Sequence, residues 1–570
     1  MFRKNTKHTQ GSLFSSAFML SEEKRAKLAH SEEQAFYELI YSKIKEEDFA
    51  CLYSAKESRP NAPINAMVSS LILMNRKSWT YEQLFNEIDF NILTRTALGL
   101  HTLDETPFCP ASIFNFQNKI NDYAVKSGIN LFEKVFDHLT QQEIKTLKLR
   151  TNIQRTDSFS AASNIRNLSR LQMLVEILIR IYRVLDDQDK QSVKDKFQEY
   201  TRTSSSHYLY HLTKEDIPRK LEEIGQLYYW ISKNLVAKYR DVEIVKTFEL
   251  VYQQHFTTVE EKAMVVTPDK LTSGMVQSPD DLDATYHKKS TKESKGQTIS
   301  ITETAHPDNA LNLITDVAIA KNNIDDSVIL NSRLAALKEK TPDLEQLHMD
   351  GAYGSQANDE KMSMLNIMAV QTAIKGTAQR VPMSIDKIDG TTYKVQCPLQ
   401  SALSVMSLLT LQHHKACFDA HICAGCSHCK ECPALVRNTA RVYYFSDADY
   451  LRKQRHKNIN TIPQLYRTIR SNVEATICEF SNKLRKHKLK VRGLFKTSVF
   501  AYSMAVSINF GRIYRHVANN GLHSGCAIPF FSFYGSVNRF CALFSFFKDL
   551  CRAFFNTRCI FHGTSNLGAF

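Results

Sequence analysis

The chain has no run of about 18 consecutive apolar residues, the length a membrane-spanning helix needs. The nearest approach is the Phe-rich segment 526–555, which Arg539, Lys548 and Asp549 interrupt. That segment reads as packed helix or an apolar end rather than a span. The opening stretch, "MFRKNTKHTQGSLFSSAF", lacks the apolar centre of an export signal, so a cytoplasmic protein without a membrane partner is expected. Internal repeats are missing too. Acids are in deficit: 59 Asp and Glu face 73 Lys and Arg, a formal net charge of +14. Such a balance favours a polyanionic partner, nucleic acid or an acidic membrane surface, and it equally suits a merely basic soluble protein. Hydrophobic residues at 43% and charged residues at 23% are ordinary for a soluble globular chain. The 570 residues suggest about two to four domains. Cysteine is not scarce. There are 13, an odd number, and six lie between 397 and 432. Without an export signal, thiol or metal chemistry in a reducing compartment fits better than a disulfide framework.

Apolar residues at helical intervals, Met67, Leu71, Met74 and Leu84 among them, predict small helices up to about residue 145. Near 147 the pattern alternates. Leu147, Leu149, Ile153 and Asp157 share one parity and read as a strand ending in an acid. Helical periodicity returns over 168–262. After it come a β-like "GQTISITETAH", a segment 310–320 that fits a helix with a strand competing, and "TPDLEQLHMDGAYGS", read as strand, acid, glycine turn and helix. "MLNIMAVQTAI" supplies another strand, and a long basic helical stretch runs from about 461 to 516. Strands alternating with helices argue for an α/β sheet interrupted by a helical insertion.

Three acids stand out by position. Asp157 and Asp350 end strands, where open α/β folds place their ligands, and Glu474 lies on a helix amid basic residues. Carboxylates that converge need a cation between them. Oxygen-only ligation favours Mg2+ or Mn2+, and two such ions suit phosphodiester hydrolysis or transfer. The plainer readings are a capping Asp157, an Asp350 that starts a turn, and a Glu474 paired with Arg470 one helical turn away.

Five stretches together resemble the DDE transposases of bacterial insertion sequences: "RPNAPINAMVSSLILMNRKSWTYEQLFNEIDFNILTRTALGL", "TDSFSAASNIRNLSRLQMLVE", "SPDDLDATYHKKSTKESKGQTISITETAHPDNALNLITD", "HMDGAYGS" and "IRSNVEATICEFSNKLRKHKLKVRGLFKTSVFAYSMAVSINFGRI". They occur in the family's order and span about 59–516. The resemblance implies a ribonuclease-H-like mixed sheet core with a helical insertion, preceded by an all-α N-terminal domain. It also implies two divalent ions, with Asp157, Asp350 and Glu474 as ligands and catalytic residues. The implied division is an N-terminal helical DNA-binding domain over 1–145 and a catalytic core over 146–516. The core carries a helical insertion at 168–262 and a Cys-rich one at 397–435, and a tail of unassigned role follows over 517–570. Expected partners are terminal inverted repeats and target DNA, engaged by a homodimer, because two ends must be brought together.

Many relatives carry a Tyr, Arg, Glu, Lys signature on the last helix. Here Arg470 stands in place, but the tyrosine place holds Arg467, beside Tyr466, and the lysine place holds Ser481, near Lys483. On a helix, Arg470, Glu474, Cys478 and Asn482 share a face, while Glu479 points about 140° away from Glu474. Arg470, Lys483, Arg485, Lys486, Lys488 and Arg492 are the candidate DNA contacts, with a solvated helical face as the alternative. Asp280, Asp281 and Asp283 suit a supporting acid cluster or a turn, and His348 suits packing or a DNA-backbone contact.

"CFDAHICAGCSHCKECP" sets Cys423, Cys426, Cys429 and Cys432 at repeated CxxC spacing, which reads first as a structural zinc knuckle. The run also misses a ferredoxin-type iron–sulfur pattern by one residue in its last gap, and plain reduced thiols are the third reading. The functional expectation is a transposase. Its rivals are a degenerate DNA-binding copy or regulator, a ribonuclease-H-like nuclease that hydrolyses without joining, and an iron–sulfur protein.

Overall fold

Strand β1, Ile153–Ala162, lies at the centre of the main sheet. A computed structural model describes residues 1–523 apart from 11–14, 290, 373–380, 382, 391, 401–402, 407–412, 438, 464–465, 467 and 485–487. A short hairpin, β2 (Phe256–Val259) and β3 (Lys262–Val265), closes a helical segment and stands apart from that sheet. The other main-sheet strands are β4 (Thr285–Lys289), β5 (Lys292–Thr304), β6 (Ile314–Lys321), β7 (Gln346–Met349) and β8 (Met368–Gln371). The order is β4-β5-β1-β7-β8. β5 is long enough to pair β4 over its first residues and β6 over the rest, both antiparallel. β1 runs antiparallel to β5 and parallel to β7, and β8 is parallel to β7. This is the mixed sheet of a ribonuclease-H-like core.

Gly296 sits where β5 pairs with β1 on one side and β4 on the other. A Cβ there would run into the Ala161 carbonyl, so the close approach of the strands requires glycine.

Three element readings from the sequence are corrected. Asp157 lies in the middle of β1 rather than at its end. The segment 310–320 enters strand β6 at Ile314, where the β-branched Ile314, Thr315, Val317 and Ile319 favour a strand that pairs along β5. The basic stretch 461–516 is not one helix. A 3-10 turn, Arg470–Asn472, leads into helix Val473–Ser481, and a second helix starts only at Leu494 and runs to His523.

The hydrophobic core is divided unevenly. The N-terminal helices, including Ile64–Lys77 and Leu131–Thr146, pack with helix Leu494–His523 and one face of the sheet into a single core. The helical insertion has its own core, built on the amphipathic helices Arg170–Val184, Asp216–Asn234 and Glu243–His255. A third unit contains β9 (Ser384–Lys387), β10 (Thr392–Gln396) and β11 (Leu403–Met406) as one small sheet. Its other sheet is β12 (His413–Asp419), β13 (Leu435–Val436) and β14 (Ala440–Ser446). Met383, Tyr393, Phe418 and Phe445 form the core of that unit. Among the described residues no helix is long and apolar enough to cross a membrane.

Candidate active site

Successive side chains of a strand point to opposite faces. On β1, Arg155, Asp157 and Phe159 share the face that receives helix Val473–Ser481. The Phe159 and Phe480 rings lie 5.9 Å apart, and Arg155 Nη1 donates to the Ile469 carbonyl at 3.0 Å. Arg155 and His348 form the last β1–β7 pair. Asp157 and Asp350 each stand two residues further on, so both acids emerge side by side where β7 stops.

Glu474 enters from the helix, with Arg470 one turn before it. The Arg470 guanidinium lies 2.6 Å from an Asp157 oxygen, 3.3 Å from Glu474 and 3.8 Å from Asp350. One cation therefore faces three carboxylates on separate elements, Asp157 being 313 residues from it in sequence. Side-chain exposure rises from 12% at Asp157 through 41% at Asp350 to 66% at Glu474. Asp157 is the floor of an open site and Glu474 its rim. Burial pushes the Asp157 carboxyl above the usual aspartate range; the Ser158 N–H and Arg470 oppose the shift, and Asp350 and Asp326 add to it. The Ser158 N–H donates to Asp157 Oδ1 at 2.9 Å.

A buried network fixes the helix. Glu303 on β5 is fully buried between Arg155, at 2.7 Å, and Arg512, at 2.8 Å. The Thr476 hydroxyl donates to Glu303 at 2.8 Å, and Arg512 also reaches Glu479 at 2.7 Å. β1, β5 and the two last helices are thus joined through one carboxylate. Beside Asp157, the Ser158 hydroxyl donates to Asp326 Oδ1 at 2.6 Å. Sequence reading missed Glu303 and Asp326. Alternation along β5 marked Glu303 as no different from its neighbours, and Asp326 reads as an ordinary helix start.

Other candidate residues have different surroundings. Lys483, Lys488 and Arg492 donate to the carbonyls of Arg76, Ile165 and Asn164. Arg485 and Lys486 lie outside the described residues. Asp281 and Asp283 accept from the N–H groups of Gly493 and Leu494, capping the long helix, and Asp280 pairs with Arg180. They support the fold away from the three carboxylates. His348 is buried and packs within the fold, and desolvation, aided by Arg155, holds it down at about 4. Cys423, Cys426, Cys429 and Cys432 line one cavity together with Cys397. Burial pushes the Cys423 thiol up, Arg441 opposes that, and Cys397 and Cys432 add to it.

Two family models match the chain. One, described as a transposase DDE domain, covers residues 396–514. The other, described as a transposase domain (DUF772), covers residues 24–119. Both matches support a DDE-class transposase of the insertion-sequence type. No curated protein and no solved structure matches it. The first match takes in Glu474 and the cysteines from Cys397 to Cys432, and the second falls within the N-terminal helices. Asp157 and Asp350 lie outside both, so their place beside Glu474 rests on the fold.

Transposases of this class generally use divalent metals. The donor set here, three carboxylates graded from a buried Asp157 to an exposed Glu474, is the oxygen-only chemistry of a hard divalent ion. Among the described residues, no three His, Cys, Asp or Glu side chains are grouped closely enough to hold an ion as they stand. Around the carboxylates the reason is visible: Arg470 supplies the positive charge. A guanidinium stands in for the cation that such a cluster needs.

Proposed function

We propose that this transposase cuts and joins DNA at the ends of an insertion sequence, with Asp157, Asp350 and Glu474 holding Mg2+ or Mn2+. The convergence of these three acids on one cation, from two strands and a helix, carries the reading. When bound, such ions activate water and stabilise the leaving oxygen of a phosphodiester. Asp157, fixed by the Ser158 N–H, forms the rigid floor. Glu474 at the rim meets incoming DNA, and its position depends on the Glu303 network beneath its helix. Arg470, displaced from the carboxylates, turns to the phosphates. Hydrolysis breaks the bond from phosphorus to the 3′ oxygen and frees a 3′ hydroxyl. That hydroxyl then attacks a phosphorus of target DNA, or of the opposite strand, and displaces its 3′ oxygen. The N-terminal helices, 1–145, recognise the terminal inverted repeats, and a dimer brings two ends together. The formal charge of +14 supports DNA as the partner.

The test uses a plasmid carrying the DNA that flanks the gene, incubated with purified protein and Mg2+, with all breaks mapped. Paired cuts at inverted repeats, followed by joined products and lost in Asp157→Asn, are expected. Binding to those ends without cuts would replace the reading with that of a DNA-binding regulator. Cuts without joined products would leave a nuclease.

A further inference from the structure

The unit between β9 and β14 contains five cysteines around one cavity. They arrive from separate places. Cys397 follows β10, Cys423 lies in the short helix Ala420–Ala424 after β12, and Cys426, Cys429 and Cys432 follow in turns. The cavity has about 20 Å3 in which a water-sized sphere fits, room for one such particle. All five are free thiols.

The sulfurs are not equivalent. Gln400 addresses two of them: its backbone N–H donates to Cys397 Sγ and its side-chain amide to Cys423 Sγ, each at 3.2 Å. Donors aimed at sulfur suit thiolates, which accept far better than thiols. Cys397, Cys423 and Cys432 pack together against the core of this unit. Cys429 differs. Its Sγ faces the Arg441 guanidinium at 2.8 Å, and its carbonyl accepts from the same side chain at 2.8 Å. Among the described residues Arg441 makes such hydrogen bonds to Cys429 alone of the five, so a cation already sits beside that sulfur.

We propose that Cys397, Cys423, Cys426 and Cys432 bind one structural Zn2+, and that Cys429 is not a ligand. This differs from a knuckle made only of the 423–432 run, because a distant strand end supplies the first sulfur. Four thiolates and a closed coordination sphere are the pattern of a structural zinc. The sulfurs stand around the cavity rather than at bonding distance from one point, so the ion gathers them and its binding adds to the stability of the unit. The zinc ties β10 to the turn before β13, a unit with a small core of its own. It takes no part in DNA cleavage, so the site and the proposed function fail or stand separately.

The experiment is metal analysis of the full chain, purified with reductant and Zn2+, beside Cys397→Ser and Cys429→Ser. One zinc per chain in the parent and in Cys429→Ser, and none in Cys397→Ser, is expected. Loading with Co2+ should give the d–d absorption of a tetrahedral thiolate site. Should Cys397→Ser fail to fold, alkylation of the parent decides: bound zinc should protect Cys397, Cys423, Cys426 and Cys432 while Cys429 reacts. Zinc kept in Cys397→Ser but lost in Cys429→Ser overturns the ligand set. Cys397 reacting as fast as Cys429 in the zinc-loaded protein overturns it as well. Absence of zinc with every thiol reactive, or iron and visible colour in its place, overturns the site.

Discussion

Arg470 has two readings in one residue. In sequence it is a basic neighbour of Glu474, equally suited to a local ion pair and to DNA. In the fold it makes that ion pair and also reaches both aspartates. Under the proposed function, the Arg470 guanidinium and a bound ion would occupy one position in turn rather than exclude one another as readings. Removing the guanidinium should leave the carboxylates to repel one another. Arg470→Ala is expected to lose about 1 kcal/mol of stability, a small figure because Glu474 and Asp350 are partly exposed to screening water. The same variant should gain more thermal stability from added Mn2+ than the parent does, because the ion no longer competes with a guanidinium. Equal Mn2+ responses in a thermal melt would count against competition. Residue-level legibility was mixed. Asp157 and Asp350 stand out in sequence as strand-end acids and Glu474 as an acid in a basic stretch, but only the resemblance sets them apart from the chain's other acids. Glu303, wholly buried and doubly paired, was not readable, since its significance lies in Arg155 and Arg512, far away in sequence.

At the scale of elements, periodicity located the helices of the insertion, and alternation located β5. Boundaries failed where pairing, not pattern, decides them. β1 continues past Asp157 because β5 supplies a partner as far as Ala162. The basic stretch breaks between Ser481 and Leu494, where Asp281 and Asp283 cap a new helix from a loop about 200 residues upstream. The insertion also contains a buried histidine whose protonation the fold opposes. Arg170 Nε donates to His255 Nδ1, so that nitrogen must keep its lone pair. Burial, with Arg170 adding, holds His255 down at about 4. A depressed histidine stabilises the fold fully above its ordinary value near 6.5, and that contribution disappears as pH falls toward 4. The loss approaches about 3 kcal/mol by pH 4. Melts recorded between pH 6.5 and 4 should therefore fall more steeply for the parent than for His255→Gln, which retains an acceptor and has no charge to gain. Parallel curves would contradict this.

At the scale of the molecule, the all-α start of the chain shares one core with the sheet and the last long helix, while the insertion and the cysteine-bearing unit have cores of their own. The order of motifs along the chain showed the ribonuclease-H-like sheet, but composition could not show that shared core, because which faces meet is set by tertiary packing. The arrangement gives the three carboxylates a rigid frame: two come from the sheet, and the third from a helix held to β1, β5 and the last long helix by Phe480, Thr476 and Glu479. The central claim is that these acids hold the ions for DNA cleavage, and exchanging one oxygen ligand for sulfur tests it most directly. A thiolate disfavours hard Mg2+ and tolerates softer Mn2+. Cleavage of element-end DNA by Asp350→Cys should disappear in Mg2+ and return in part with Mn2+, while the parent cuts with either. Full cleavage by Asp350→Cys in Mg2+ would contradict the account.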